Sequence, residues 1–257
     1  MSGTNTPLTL IKVIRKSTSI MNTNTELKKT AKLSGLLFFL WIVTGFYGML
    51  FVSPKIFVSG DSVASAENIL KYEFLFRTGI YSGLITNTLW ILLVWVFYQL
   101  FKTVNERYAK LLVASVLVQV PVAFVQAGLS IATVAALKGE ILKSFELLQR
   151  QDLAMMFLKI NDYCVSALVL FYGLWLFPLA ILVYRSGFIP RFTGIWLIIN
   201  GFVYVLLSFA HIVLPEYKDI VFSYGMPAMF GEPVLMLWLL IKGVRDKPID
   251  KINDQVV

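Results

Sequence analysis

From Leu111 to Leu137, and again from Thr78 to Phe101, the chain carries no Lys, Arg, Asp or Glu. A helix needs about 20 apolar residues to cross a hydrocarbon core of about 30 Å. Uncharged runs this long place the chain among polytopic membrane proteins. Six segments qualify: 33–52, 78–101, 111–137, 161–184, 193–214 and 222–241. Pro227 and Pro233 interrupt the last. Composition agrees, at 58% hydrophobic and 15% charged residues with a mean hydropathy of +0.75. Backbone groups in lipid must bond internally, and no alternating barrel pattern occurs, so the expected fold is an all-α bundle of six transmembrane helices.

The remaining segments follow from their polarity. Residues 1–30 are rich in Ser, Thr, Asn and Lys and are expected to form a disordered cytoplasmic tail. They lack the apolar core and cleavage site of a signal peptide. The stretch from Met21 itself looks like a start. Residues 31–244 form the transmembrane domain, and 245–257 a short cytoplasmic tail. Two loops carry helical apolar spacing. Residues 62–76 and 138–160 are expected to be amphipathic helices on the outer interface, or extensions of the adjoining spans.

Charge sets the expected orientation. Fifteen of the 23 Lys and Arg flank the spans on one side if both termini lie there. The positive-inside rule makes that side the cytoplasm, and the excess favours anionic lipid headgroups at that face. The basic residues are spread over four flanks, which gives no patch for nucleic acid. A single cysteine, Cys164, allows no disulfide within the chain. A single histidine, His211, excludes a metal site built on several His or Cys ligands. No phosphate loop, dinucleotide fingerprint, HExxH or GxSxG occurs, so no cofactor is expected.

The basic residue at the cytoplasmic end of each span gives a depth ruler. Glu232 lies about 15 Å in, close to the bilayer centre, and Gln119 and Asn200 about 14 Å. Gln126, Tyr204 and Thr88 fall at about 20–24 Å, and Arg77, Asp162 and His211 at about 30–37 Å. Spacing puts them on stripes: Ser115, Gln119, Gln126 and Ser130 on the third span; Asn200, Tyr204, Ser208 and His211 on the fifth; Arg77, Tyr81 and Thr88 on the second; Asp162, Ser166 and Gly173 on the fourth. Stripes that face one another would make a polar track from an ionic outer mouth to Glu232. The bland alternative is a set of interhelical hydrogen bonds, worth about 0.6 kcal/mol each. Gly79 and Gly83 form a GxxxG spacing that marks close packing.

Glu232 stands apart. An ionisable group at the midplane costs about 2.5–3.5 kcal/mol, so it needs a proton or a partner such as Arg77. Pro233 removes a backbone donor and leaves the Met229 carbonyl without its usual partner. A helix break beside a buried acid is a common way for carriers to build a site.

"KKTAKLSGLLFFL", "AENILKYEFLFRTGIYSGLI", "YRSGFIPRFTGIWLIINGFVYVL" and "GEPVLMLWLLIKGV" together resemble a bacterial integral membrane family catalogued as domain of unknown function 4386. The likeness runs from about Lys28 to Val244. Members usually carry Arg at Arg77, an Arg-Ser-Gly-Phe turn at 185–188, and Gly-Glu at Gly231 and Glu232. This chain departs at Pro233, where members carry an aliphatic residue, and at Asn161 and Trp175, where members often carry His. The resemblance implies a multi-span protein of the bacterial inner membrane and no particular activity.

Three functions remain open. The chain could bind or transport a small or amphiphilic solute through a pocket open to the outer face. It could be an enzyme acting on a lipid headgroup, with Asp162, His211 and Glu232 as acid and base. It could be an accessory or sensor subunit without solute chemistry. The sequence leaves the oligomeric state open. The candidate binding residues are Glu232, Arg77, Asp162, His211, Gln119, Gln126, Asn200 and Tyr204.

Overall fold

The computed structural model describes residues 6–244, with side chains from residue 24 onward. Six helical stretches in that range are long and apolar enough to cross a membrane: Asn24–Ile56, Glu73–Phe101, Glu106–Leu137, Leu147–Ser186, Arg191–Val213 and Pro215–Lys242. They alternate in direction. One end of the bundle holds the turns after Phe101 and Ser186 together with residues 24–32 and 242–244, and is called the termini end. The other holds the small helix α3 and is called the α3 end.

The first span contains α1, Thr6–Tyr47, then a wide π turn, Gly48–Val52, and the short α2, Ser53–Ile56. α1 begins at Thr6, inside the segment expected to be a tail. Amphipathic α3, Ser62–Lys71, starts where the Asp61 carboxylate accepts from the Ala64 amide at 2.9 Å. The second span is α4, Glu73–Phe101. The third is split at Gln119 into α5, Glu106–Leu117, and α6, Val120–Leu137, because Pro121 cannot donate to the preceding turn.

The fourth span begins at Leu147 with α7, Leu147–Leu174, and continues as α8, Leu176–Ser186. The outer segment 138–160 is therefore not a separate interfacial helix. Its second half is the extended start of α7, opened by reciprocal bonds between Glu146 and Gln149. After α8, Gly187 takes a left-handed φ of 71°, and the Ser186 hydroxyl accepts from the Ile189 amide. That turn explains the Arg-Ser-Gly-Phe sequence. The fifth span is α9, Arg191–Val213. The sixth breaks into α10, Lys218–Met229, and α11, Gly231–Leu237, followed by a second π turn, Trp238–Lys242. The break falls where Pro233 leaves the Met229 carbonyl unmatched. Residues 245–257, the expected cytoplasmic tail, lie outside the described residues.

Two apolar clusters hold the bundle. The larger fills the termini half and centres on Phe38, Trp90, Phe97, Phe101, Trp175 and Leu197. The indoles of Trp41, Trp90 and Trp175 meet at 5.5–6.4 Å between ring centres. The smaller cluster closes the α3 end with Val52, Ile56, Ile69, Phe76, Leu137 and Leu158. Glycines set the closest helix crossings. A Cβ on Gly35 would stand 2.5 Å from the Leu240 amide nitrogen, and one on Gly173 2.6 Å from the Gly201 carbonyl oxygen.

Candidate functional site: a cavity between two stitched helix pairs

Between the two apolar clusters, four helices change character together. On the first span the stretch after Trp41 turns to Gly45 on α1 and Gly48 at the start of the π turn. On α4 the stretch between Phe76 and Trp90 carries Gly79, Gly83 and Asn87. On α6 it carries Gln126 and Ser130, and on α7 Asn161 and Asp162. All of these line one cavity of about 750 Å³. Small and polar residues cannot fill the space that the aromatic residues fill below them, so a void is the direct result.

Hydrogen bonds stitch the four helices into two pairs. In the first pair, Ser82 donates to the Thr44 carbonyl at 2.8 Å. Thr86 donates to the Thr44 hydroxyl, and the Tyr47 and Thr78 hydroxyls meet at 2.9 Å. These bonds fix α1 against α4. In the second pair, the Gln126 amide donates to the Asn161 carbonyl at 3.3 Å and the Asn161 amide to the Ser130 hydroxyl at 3.1 Å. These fix α6 against α7. The back of the cavity is closed where α4 packs on α6. No extensive packing joins α1 to α7, which leaves the front of the cavity between them partly open. Of the sixth span, α10 packs mainly on α9, while α11 and the second π turn pack on the first span.

The glycines of the GxxxG spacing have different roles. Gly79 is a close-packing position, with Val52 only 3.1 Å from where a Cβ would stand. Gly83 and Gly48 border the cavity, and a Cβ on either meets nothing within 4 Å.

The candidate residues separate into groups. Gln126 and Asp162 line the cavity. Asp162 also borders a second cavity of about 710 Å³ together with His211, Lys159, Lys218, Tyr163 and Ser166. Arg77 lines neither. Its Nε bonds Glu73 at 2.8 Å, and Lys138 joins the same carboxylate at 3.3 Å, so Arg77 belongs to an exposed ion network at the α3 end. The Lys138 ammonium, held by Glu140 and Glu73, titrates above the ordinary lysine range. The single ionic mouth of Arg77, Asp162 and His211 is therefore not formed. The stripe of Arg77, Tyr81 and Thr88 also faces outward, with Tyr81 66% exposed. The Thr88 hydroxyl donates to its own helix at the Leu84 carbonyl, which lets it face lipid.

Glu232 is buried in the termini half. It accepts from the Asn200 amide at 3.0 Å, and neither residue lines either of the two cavities. Its neighbour Tyr204 meets Tyr172 edge to face at 6.2 Å, and Tyr172 forms part of the cavity floor. An aromatic pair therefore stands where the expected track would continue. The Asn200 carbonyl oxygen has no hydrogen-bond partner among the described residues. Gln119 is also buried, but its amide donates to the Ser115 carbonyl of its own helix at 2.7 Å, and no bond joins it to Glu232.

Lys159, Asn161, Tyr172 and the cavity glycines Gly45, Gly48, Gly79 and Gly83 were not among the expected site residues. Glycines at matched depth on facing spans were the available signal. No group of three or more His, Cys, Asp or Glu able to hold a metal occurs among the described residues. Asp162 and His211 border the same second cavity, with no hydrogen bond between them among the described residues.

Six apolar spans around a glycine-lined cavity define an integral, multi-pass membrane helix bundle. The chain belongs to the family described as Domain of unknown function (DUF4386), whose model matches residues 33–243. It is also similar to a protein of Archaeoglobus fulgidus named "Uncharacterized protein", 34% identical over 74 residues. That match covers 29% of this chain and 43% of the relative, so it spans less than half the relative's length. No solved structure matches.

Proposed function

We infer that this protein binds a small amphiphilic solute inside the membrane, in the cavity between the α1–α4 and α6–α7 pairs, as a carrier does. The observation that carries the reading is the open front of that cavity. Its volume of about 750 Å³ lies in the range of about 300–1,000 Å³ usual for ligand sites. Its lining mixes Ile80, Leu84 and Val165 with Gln126, Ser130, Asn161 and Asp162, which suits a molecule with an apolar body and a polar end. An open front between spans gives such a molecule access from the lipid.

The test fills the void. Gly83→Leu and Gly48→Leu place side chains where there is open space, so folding should survive. Native mass spectrometry of the detergent-purified protein, titrated with monoacylglycerol, should show saturable binding to the wild type and its loss in both variants. Equal binding by correctly folded Gly83→Leu and Gly48→Leu proteins would remove the cavity from the function.

The orientation proposed with this reading puts both termini in the cytoplasm of a bacterial inner membrane, with the cavity toward the outer face. The basic bias of the termini-end flanks supports it. Reporter fusions after Lys102 and Lys251 should read cytoplasmic, and one near Glu146 external; the reverse pattern would invert the model.

A further inference from the structure

The two cavities meet along one line of α7. Lys159, Asp162 and Val165 stand three residues apart and border both. Residues at this spacing share a helix face, so a molecule lying along that face can occupy both spaces at once. Beyond the line, the second cavity runs between the middle of α7, the end of α9 and the start of α10. Its lining is of a different kind: two ammonium groups, Lys159 and Lys218; the His211 imidazole; the Tyr163 and Ser166 hydroxyls; and the Asp162 carboxylate. Neither Lys159, Lys218, His211 nor Asp162 is engaged in an ion pair within 4 Å among the described residues, while Lys138 and Arg77 nearby are both paired. Lys159 instead stands over the Tyr163 ring at 5.7 Å. By the depth ruler, Asp162 and His211 fall about 30–37 Å from the basic residues at the termini end, the expected α3-end boundary of the apolar core.

Resting on the reading of the cavity as an amphiphile site, we propose that its ligand is a zwitterionic phospholipid or lysophospholipid. The phosphodiester is held between Lys159, Lys218 and His211, the headgroup ammonium faces Asp162, and an acyl chain passes Val165 into the main cavity. Charge complementarity selects this class. Two cations with donor hydroxyls match a phosphate, which ammonium groups bind as point charges. A carboxylate in the same groove repels a purely anionic headgroup and attracts an amine, so it discriminates as well as binds. An uncharged glyceride would leave three charged side chains unmatched. The lipid enters sideways, because the main cavity opens between α1 and α7 and the groove lies beside that opening.

The experiment titrates purified protein in detergent with lysophosphatidylethanolamine, lysophosphatidylglycerol and monoacylglycerol, read by native mass spectrometry. The wild type should bind the zwitterionic lipid about tenfold more tightly than either of the others, a difference of about 1.4 kcal/mol. Asp162→Asn should lose the preference over lysophosphatidylglycerol. The double variant Lys159→Gln, Lys218→Gln should bring the zwitterionic lipid down to the monoacylglycerol level. Gly83→Leu should lose all three. Equal affinity of the wild type for the three lipids overturns the headgroup assignment and leaves the cavity reading standing. Unchanged binding in Gly83→Leu overturns the cavity reading itself. Displacement of the bound lipid by water-soluble glycerophosphoethanolamine at equal concentration would overturn the lipid as ligand in favour of a free phosphodiester.

Discussion

The termini half and the α3 half of this bundle are built from the same six spans by opposite means. In the termini half, aromatic residues from four spans interlock around Trp175, which is 1% exposed, and the polar groups present are few and buried. In the α3 half, the helices hold one another through hydroxyls and amides at their edges and leave the middle empty. Lipid tails are as apolar as a leucine core, so a membrane bundle gains little from burial as such and relies on close packing and on interhelical hydrogen bonds. This molecule uses the first in one half and the second in the other. Close packing is concentrated at one end, and an empty space is left at the other.

Breaking the packed half should have the largest effect. Trp175→Ala removes the ring that touches Phe38, Trp41 and Trp90, and should destabilise by about 3–5 kcal/mol, read as loss of the folded fraction in a thermal or SDS unfolding series. Gly35→Ala comes next. Its Cβ would press on the backbone of the second π turn, which cannot step aside as a side chain can, and the expected cost is about 1–3 kcal/mol. If Gly35→Ala melted like the wild type, the contact between α1 and the last span would be looser than described.

Glu232 tests whether the packed half needs its one buried carboxylate. Glu232→Gln keeps a bond to Asn200 and should melt close to the wild type. Glu232→Leu leaves the Asn200 amide without a buried partner and should cost about 1–3 kcal/mol. Pairing it with Asn200→Leu should restore most of that loss, since both polar partners are then gone. A double variant no better than Glu232→Leu alone would give Glu232 a role beyond this one bond. In the α3 half, Gly83→Ala should shift stability by no more than about 0.5 kcal/mol, because the added methyl meets nothing. The smallest effect belongs to the surface ions. Folding raises the Lys138 value, so its contribution is fully present below the ordinary lysine value and is lost as pH rises through the raised one. Lys138→Met should therefore abolish only a slight loss of thermal stability on the alkaline side of pH 10.5, the ordinary value.

The spans themselves were legible because uncharged length is a property of each segment alone. Whether the last span breaks at Pro233 stayed open in the sequence; in the fold the break falls three residues earlier, at Phe230, next to the Met229 carbonyl that the proline leaves unmatched. The facing of the stripes was not legible. Arg77, Tyr81 and Thr88 share one face of α4, yet the inward faces belong to Thr78, Ser82 and Thr86 toward α1 and to Gly79, Gly83 and Asn87 toward the cavity. Polarity by itself does not choose among these faces. A threonine can satisfy itself on its own helix, a tyrosine can stand in the lipid boundary, and a glycine shows its role only when the opposite wall is known. Gln119 makes the same point. Its depth matched that of Glu232, but its amide bonds within its own helix, which a depth ruler cannot register.

The π turn at Gly48–Val52 also bears on how such a chain can vary. In it the Ser53 amide bonds the Gly48 carbonyl five residues back, so the turn holds one residue more than an α turn would. Loss of a single codon there would tighten the turn to ordinary α geometry without breaking the helix. The wide turn already absorbs its extra residue, so the segment after it would keep nearly the same facing, and Ile56 would stay in the cluster that closes the α3 end. The same deletion in the regular part of α1 would rotate everything after it by about 100° and carry Tyr47 off Thr78 and Val52 off Gly79. The wide turn is thus a place in the first span where chain length can change by one residue while the cap of the cavity keeps its seat on the walls.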